Sequence, residues 1–332
     1  IRIVHTALHG VGGAVMLSAF ERAGFGDVTV VSPQAEPNPE FPTVAFPNPE
    51  EPGAMDLAFE TAAASGAELV IANDPDADRC AVAVPDPAAP AGRRMLRGDE
   101  VGALLGAEVA RRTAGTGGVL ATTIVSSSLL RSIARRHGLA YAETLTGFKW
   151  LARVPGLTFG YEEALGYCVD PDGVRDKDGI TAALLIAELA AAAKQEGRTL
   201  LDLLDELATE HGLHATDQYS IRVDRLDRIT TAMARLRETP PTSLGGLAVT
   251  HTDDLTVGSA NLPPTDGLRY TLAGTDDVSA ARIVVRPSGT EPKLKSYLEV
   301  VVPVRADLPQ ARTIATTTLS TLKADLAAAL AT

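Results

Sequence analysis

The segment Asn73–Arg79 carries three alternating aspartates at the end of the predicted strand Glu68–Ala72. Ligands of open α/β sheets collect at the carboxyl ends of the strands, and this segment lies at such an end. The carboxylates of Asp74, Asp76 and Asp78 repel one another unless a positive charge joins them. Alternate side chains of a looped backbone can converge on one hard cation that prefers oxygen ligands. We therefore predict a cation site, and Mg²⁺ is the natural candidate because it accepts few carboxylates and leaves room for a phosphate oxygen.

Other interpretations of the same segment lead to different proteins. A calcium-binding EF-hand loop starting at Asp74 would need Gly and Glu where Arg79 and Pro85 stand, which argues against it. A phosphatase with an aspartate nucleophile also places alternating aspartates after a strand. An Asp-rich turn that caps a helix would need no ligand at all. The last two interpretations remain open on the residues alone.

A second candidate site is the segment Arg286–Lys295, between two predicted strands. Gly289 stands between Ser288 and Thr290, so that backbone N–H groups can face an anion closely. The guanidinium of Arg286 adds a fork that suits phosphate. The segment predicts a phosphate-binding loop, and the alternative is a hairpin loop with solvated charges.

A third candidate is the loop Gly160–Tyr167, in which Glu162 and Glu163 are adjacent. Two carboxylates in a Gly-bounded loop can accept hydrogen bonds from the hydroxyl groups of a sugar. An exposed turn is the alternative interpretation.

A glycine-rich turn at Gly10–Gly13 follows the first predicted strand and invites a different interpretation. In a dinucleotide-binding fingerprint a third glycine would occupy the place of Val15, and an acidic residue would end the next strand, where Ser32 stands. We therefore do not assign dinucleotide binding to this turn.

Composition limits the classes of protein that can carry these sites. The 332 residues have a formal net charge of −12, which makes nucleic acid and anionic membranes poor partners. No apolar run reaches the ~18 residues of a membrane span. The two cysteines, Cys80 and Cys168, show no zinc-site spacing and are typical of a reducing compartment, so we predict a cytoplasmic protein.

The elements that must position the candidate sites alternate between helices and apolar strands. This alternation predicts parallel sheets covered on both faces over the first two thirds of the chain. From about Thr216 the pattern changes to alternating strands with few helices, and a long helix over 308–331 ends the chain. The pattern predicts three α/β units.

Together and in this order, the three segments resemble those of the α-D-phosphohexomutase family, which includes the phosphoglucomutases and phosphomannomutases. Members have four domains, each contributing one loop to a central cleft, and the chain is similar to the second, third and fourth. The resemblance implies a metal-binding α/β domain over residues 1–116 and a sugar-binding α/β domain over 117–215, both three-layered. A smaller α+β phosphate-binding domain would follow over 216–332.

The resemblance also implies roles for particular residues near the metal. It places Mg²⁺ on Asp74, Asp76 and Asp78, and it implies a catalytic role for Arg79 beside the transferring phosphoryl group. The segment Thr144–Trp150 also looks like a family segment near the cleft, and Lys149 is its expected catalytic contact with substrate. Arg175–Gly179 is a further such segment.

For the sugar and the phosphate, the resemblance implies recognition by Glu162 and Glu163 and by the loop Arg286, Ser288, Gly289 and Thr290. The serine usual two residues after the first glutamate is replaced by Ala164, so one expected hydroxyl contact is missing. The preferred sugar, glucose or mannose, is therefore left open.

The family's first domain carries a phosphorylated Ser followed by His-Asn-Pro, and no such string occurs in this sequence. The sequence also opens without Met on the apolar run Ile1–Val4. We expect a piece of a longer protein whose nucleophile domain lies elsewhere, so that residues 1–332 bind but do not turn over substrate.

The function that the resemblance implies is a phosphohexomutase that interconverts hexose 1-phosphate and hexose 6-phosphate through a bisphosphorylated sugar. Expected partners are hexose phosphates, hexose 1,6-bisphosphate and the chain's own missing N-terminal domain, without nucleic acid or membrane. The alternative is a non-catalytic protein that binds sugar phosphates.

Overall fold

The computed structural model describes residues 1–259, 261–289 and 292–331. It divides into two compact units, each with its own core. Unit 1 comprises Ile1–Thr123, Leu130–Ala142 and Thr146–Leu204, and unit 2 comprises Ile124–Leu129, Glu143–Leu145 and the chain from Asp205 onward.

The first sheet lies in unit 1 and combines parallel and antiparallel strands. Its strands are β1 (Ile3–Thr6), β2 (Val28–Val30), β3 (Leu69–Asn73), β4 (Cys80–Pro85) and β5 (Arg93–Met95), in the spatial order β2-β1-β3-β4-β5. Strand β1 runs parallel to both β2 and β3, whereas β4 is antiparallel to β3 and β5 is antiparallel to β4. Strands β1 and β3 are buried along their whole length, as expected for the centre of a sheet covered on both faces.

The helices of this first region are α1 (Gly13–Arg22) and α2 (Asp56–Ser65). Helix α3 follows at Gly98–Arg112, where Glu100 accepts the Arg97 backbone N–H in a capping arrangement.

The second sheet has the order β7-β6-β8-β9. Its strands are β6 (Val119–Thr123), β7 (Ala140–Thr144), β8 (Leu157–Glu162) and β9 (Gly166–Cys168). Strand β8 is parallel to β6 and antiparallel to β9. The helices of this part are α4 (Leu129–Arg136), α5 (Phe148–Leu151), α6 (Gly179–Gln195) and α7 (Leu200–His211). Within unit 1, α6 packs on β3 and β4, and α3 packs on β8.

Unit 2 is built on an antiparallel sheet with the order β10-β15-β14-β13-β12-β11. Its strands are β10 (Leu213–Arg222), β11 (Ser243–Leu244), β12 (Leu247–Asp254), β13 (Leu268–Leu272), β14 (Ala280–Pro287) and β15 (Lys293–Val302), and its helices are α8 (Leu226–Glu238) and α9 (Leu308–Ala331). Alternate residues of β14 and β15, such as Ile283, Val285 and Leu298, are buried in one aliphatic core with Met233 of α8 and Leu322 of α9.

A buried charge cluster holds two short segments within unit 2. Arg282 donates to Glu299 Oε2 at 2.9 Å, to the Ser126 carbonyl at 2.6 Å and to Glu143 Oε1 at 3.3 Å. The other oxygen of Glu299 accepts from Ser127 Oγ at 2.8 Å and from the Ser128 N–H at 2.7 Å. These serines therefore anchor a segment in unit 2.

The α/β class predicted from the sequence is confirmed, and the predicted α+β part at the C-terminus contains the antiparallel sheet of unit 2. Strand β5 begins at Arg93, where it pairs with the end of β4, and the Arg93 side chain donates to the Ala62 carbonyl of α2 at 3.3 Å. The boundaries 1–116, 117–215 and 216–332 remain predictions. Among the residues that the structure describes, no helix is both long and apolar enough to cross a membrane.

Candidate functional site

The three alternating aspartates converge at the carboxyl end of β3. One carboxylate oxygen from each of Asp74, Asp76 and Asp78 lies within 4.8 Å of the others. Asp74 is buried, Asp76 is exposed and Asp78 lies between these extremes, so the cluster opens to solvent on one side. Three oxygens gathered in this way, with one open side, fit a divalent cation that also needs ligands from substrate or water.

The loop that carries them, Asn73–Arg79, is held in a strained conformation. Asp74 accepts the Ala77 N–H on its carbonyl at 3.0 Å and the Arg79 N–H on Oδ1 at 3.0 Å. Ala77 has a φ of 61°, a left-handed conformation that is unfavourable for a residue with a side chain and often occurs at functional sites.

Burial raises the pKa of Asp74 to about 6, against the hydrogen bond from the Arg79 N–H, and the charges of Asp78 and Asp76 raise it further. The site is therefore short of positive charge, and a bound cation would supply it.

Glycines pack directly against the outside of this loop. A Cβ atom on Gly10 would lie 2.4 Å from Pro75 Cα, and one on Gly179 would lie 2.2 Å from the Arg79 carbonyl oxygen. The N–H of Val11, the residue after Gly10, donates to the Pro75 carbonyl at 2.8 Å. The glycine-rich turn Gly10–Gly13, which has part of a dinucleotide-binding fingerprint, thus packs against the loop Asn73–Arg79, the predicted metal loop. Only a residue without a side chain fits at this contact.

Two cations flank the aspartates. Lys177 Nζ lies 2.8 Å from Asp78 Oδ2, and Arg79 Nη1 lies 3.9 Å from Asp74 Oδ2. Burial disfavours the charged form of Lys177, but the hydrogen bond to Asp78 and the negative charges of Asp78, Asp176 and Glu162 together have the larger effect. The pKa of Lys177 is therefore raised above its ordinary value. The same ammonium lies 5.6 Å from the ring centre of Phe148 in α5.

Lys177 was not singled out by the sequence, although the segment Arg175–Gly179 was. The available signal was a lysine among aspartates immediately before the N-terminus of α6, where Asp178 caps the helix through the Ile180 N–H at 3.0 Å.

The predicted sugar loop is joined to the metal loop by backbone hydrogen bonds. The Cys80 N–H donates to the Leu165 carbonyl at 3.1 Å, and Arg79 and Gly166 form an isolated antiparallel bridge. The sequence placed a loop over Gly160–Tyr167, but only residues 163–165 connect β8 to β9, because the two strands pair as far as Glu162 and Gly166.

Glu162 and Glu163 therefore have different environments. Burial raises the pKa of Glu162 although the charges of Lys177 and Arg79 oppose this. Glu163 accepts from Thr123 Oγ1 at 3.4 Å. Glu162 lies at the end of β8 near the two cations that flank the aspartates, which suits a group that accepts hydroxyl hydrogen bonds.

Lys149 lies in α5 and is exposed, and its ammonium is 5.7 Å from the ring centre of Trp150. It belongs to the same unit as the metal and sugar segments.

The predicted phosphate loop lies in unit 2, at the turn between β14 and β15. The Ser288 N–H donates to the Lys293 carbonyl at 2.8 Å, and Gly289 is exposed. Arg286 is the penultimate residue of β14, where the sequence had placed it in the loop itself. Thr290 lies outside the described residues.

The register of this sheet adds basic residues that the sequence reasoning missed. Lys295 stands directly opposite Arg286, and Lys293 stands opposite Arg222 of β10. Directly opposed residues share a face of the sheet, and so do residues two apart, which puts all four cations on one face beside the turn. The alternation of Lys293 and Lys295 around the buried Leu294 was the available signal.

Two stretches of the chain match domain models of one known family. Residues 1–87 match the phosphoglucomutase/phosphomannomutase alpha/beta/alpha domain II, and residues 97–211 match domain III of the same family. The chain belongs to the phosphoglucomutase/phosphomannomutase family. The metal loop lies in the first match, and Lys149, Glu162 and Lys177 lie in the second.

Individual relatives cover nearly all of the chain. It is 46% identical over 299 residues to a probable phosphomannomutase of Haemophilus influenzae, covering 90% of this chain and 60% of that protein. It is 35% identical over 337 residues to the human phosphopentomutase, covering 91% of this chain and 54% of that protein. The chain thus spans somewhat over half the length of these relatives.

A solved structure of a putative phosphomannomutase from Thermus thermophilus has a similar fold. Its TM-score is 0.65 at 25% identity, with 94% of this chain and 60% of that chain covered.

Proposed function

We propose that this chain supplies the metal-binding, sugar-binding and phosphate-binding parts of a magnesium-dependent phosphohexomutase. The reaction would interconvert hexose 1-phosphate and hexose 6-phosphate through a bisphosphorylated sugar. The observation that carries the proposal is the convergence of Asp74, Asp76 and Asp78 within 4.8 Å. These aspartates lie in the same unit as the hairpin formed by β8 and β9, the predicted sugar hairpin.

The proposal divides the work of phosphoryl transfer among the described residues. Bound Mg²⁺ would supply a Lewis acid that offsets negative charge on the transferring group. Arg79 and Lys177 would orient the same phosphoryl group from the protein side, because both cations flank the aspartates.

Substrate binding would use the remaining residues. Glu162 would accept hydrogen bonds from sugar hydroxyls, with Glu163 and the exposed Lys149 as further substrate contacts. Arg286, Ser288, Gly289 and Thr290 would bind the phosphate that does not react, and Lys295 adds positive charge on the face of Arg286.

The phosphorylated serine of the reaction is not assigned to any residue of the chain, since no Ser-His-Asn-Pro string occurs among its 332 residues. We propose that this group comes from a further domain. The isolated chain then binds sugar phosphates without converting them, and in the absence of such a domain a non-catalytic sugar-phosphate-binding role would remain. The two cysteines are unpaired and buried, which supports a reducing, cytoplasmic setting.

Pentose phosphates are a second candidate substrate class. The human phosphopentomutase at 35% identity supports it. Ala164 in the sugar hairpin also lacks the hydroxyl that the hexose enzymes usually provide two residues after the first glutamate, which weakens the argument for a hexose over a smaller sugar.

The proposal is tested by supplying the missing group. The chain is assayed for conversion of glucose 1-phosphate, mannose 1-phosphate and ribose 1-phosphate, alone and fused behind a mutase domain that carries Ser-His-Asn-Pro. We expect no turnover alone and Mg²⁺-dependent turnover in the fusion, which is lost when that serine is replaced by alanine. Interconversion of sugar phosphates by the isolated chain would contradict the proposal that the nucleophile comes from a further domain. Release of inorganic phosphate without the added domain would contradict the proposed reaction and favour a hydrolase. The ratio of rates for the three sugars decides between hexose and pentose.

A further inference from the structure

Two buried polar side chains, that of His5 in β1 and that of Asn73 at the first position of the metal loop, take no part in the proposed reaction. His5 is 1% exposed and Asn73 is completely buried. They come from the neighbouring parallel strands β1 and β3. His5 Nε2 lies 3.0 Å from Asn73 Oδ1, and Asn73 Nδ2 donates to the Arg79 carbonyl at 2.8 Å.

These two hydrogen bonds fix the arrangement of protons. The Arg79 carbonyl can only accept, so the Asn73 amide must turn its nitrogen toward Arg79 and its oxygen toward His5. An amide oxygen can also only accept, so the nitrogen of His5 that faces it must carry a proton. His5 is therefore the Nε2–H tautomer.

The Asn73 side chain spans the metal loop from its first residue to its last. Asn73 directly precedes Asp74, and Arg79 directly follows Asp78, so this hydrogen bond joins the two ends of the segment that carries all three carboxylates. The Arg79 N–H donates to Asp74 within the closed segment. Gly179 approaches the same Arg79 carbonyl so closely that a Cβ atom on it would lie 2.2 Å from the oxygen.

We propose that His5, as the Nε2–H tautomer, and Asn73 are positioning residues that close the metal loop and thereby set the spacing of its three carboxylates. The inference rests on the proposed metal site and adds the residues that shape it. Groups that orient metal ligands from behind generally affect metal affinity by about 10-fold to 100-fold when they are replaced.

The test is the affinity for Mg²⁺, measured by calorimetry on the full 332-residue chain. His5→Phe keeps an aromatic ring on Phe20 but removes the donor, and we expect Mg²⁺ binding to weaken about 10-fold or more. His5→Gln can place an amide N–H toward Asn73, and we expect it to recover most of the affinity. Phe20→Leu is the packing control, because Phe20 contacts the His5 ring at a centroid distance of 6.1 Å but makes no bond to the loop. It should lower the melting temperature and leave the Mg²⁺ affinity within about twofold of the wild type.

Wild-type affinity in His5→Phe, or an equal loss in Phe20→Leu, would overturn the inference. A second, independent readout is the nitrogen NMR spectrum of the wild-type histidines, which reports the tautomer even where His5→Phe fails to fold. A proton on Nδ1 of His5 in place of Nε2 would also overturn it. If the wild-type chain binds no Mg²⁺, the proposed metal site is wrong. The tautomer result then still decides whether His5 donates a hydrogen bond to Asn73 as inferred.

Discussion

The metal loop of unit 1, Asn73–Arg79, and the predicted phosphate hairpin of unit 2, formed by β14 and β15, are held in place by different kinds of contact. The metal loop depends on contacts from distant parts of the chain, including the glycine-rich turn after β1 and the N-terminus of α6. The phosphate hairpin depends on the register of two consecutive strands, and a Cβ on Gly289 would meet no described atom within 4 Å. Three carboxylates repel one another and must be held together, whereas one arginine and a short turn need little support. Substitutions behind the two loops should therefore have very different consequences.

The largest effect on stability is expected at the charge cluster of unit 2, away from both loops. Glu299→Gln removes the buried charge that pairs with the partly buried Arg282, and we expect about 3 kcal/mol of lost stability in chemical unfolding. Asp227→Asn breaks an exposed ion pair with Arg225 in the same unit and should cost less than about 0.5 kcal/mol. Equal losses in the two variants would show that the cluster does not stabilise unit 2.

The two units should also lose stability over different ranges of pH. Burial raises the pKa of Glu299, but Arg282 and His214 with the Ser128 N–H outweigh it and lower the value to about 2. Its contribution is present above the unfolded pKa of about 4.5 and is lost as the pH falls toward 2, at up to about 3 kcal/mol.

In unit 1, burial lowers the pKa of His5 to about 4, against the hydrogen bond that His5 donates to Asn73. The unfolded state binds a proton near pH 6.5 and the folded state only near 4, so the His5 contribution to the stability of unit 1 falls by up to about 3 kcal/mol as the pH falls through this window. Asp74 opposes this loss, because its pKa is raised to about 6 in the folded state and it therefore takes up a proton more readily there than in the unfolded chain.

Trp150, the single tryptophan, reports unit 1 by fluorescence, and hydrogen exchange with mass spectrometry reports unit 2. We expect unit 1 of the His5→Gln variant to keep more of its stability than the wild type as the pH falls from 6.5 to about 4, while unit 2 of both responds only below about 4.5. An equal response of wild type and variant between pH 6.5 and about 4 would show that His5 does not contribute in this window.

The smallest expected effects test the two loops directly. Gly10→Ala forces a methyl group against Pro75, and we expect about 1–3 kcal/mol of lost stability together with weaker Mg²⁺ binding. Gly289→Ala should change stability by less than about 0.5 kcal/mol, because no described atom lies near the added carbon. Similar losses of stability at both positions, measured by urea unfolding, would show that the metal loop does not depend on contacts from distant residues more than the phosphate hairpin does.

The sequence was sufficient for the parts of the site that depend on local pattern. Alternation of the aspartates after an apolar strand predicted their convergence, and the segment Arg286–Lys295 was correctly placed between two strands, although both strands extend into it. The α/β class followed from helices alternating with apolar strands, and the helix over 308–331 followed from its length and composition.

The supporting contacts could not be read from the sequence because they join distant residues. His5 and Asn73 are 68 positions apart, and nothing in either segment indicates that β1 and β3 are neighbours in register. The glycine-rich turn was recognised as special, but its packing against Pro75 depends on the fold of the whole first sheet. The register that places Lys295 opposite Arg286 was likewise unavailable before the sheet was known.

The most direct test of the account is a calorimetric titration of the chain with Mg²⁺, because the proposed function depends on the three converging carboxylates. We predict one bound Mg²⁺ per chain, with binding lost in Asp76→Asn and kept in Asp172→Asn, an exposed aspartate in a different loop of unit 1. Absence of binding in the wild type, or equal binding in Asp76→Asn, would contradict it.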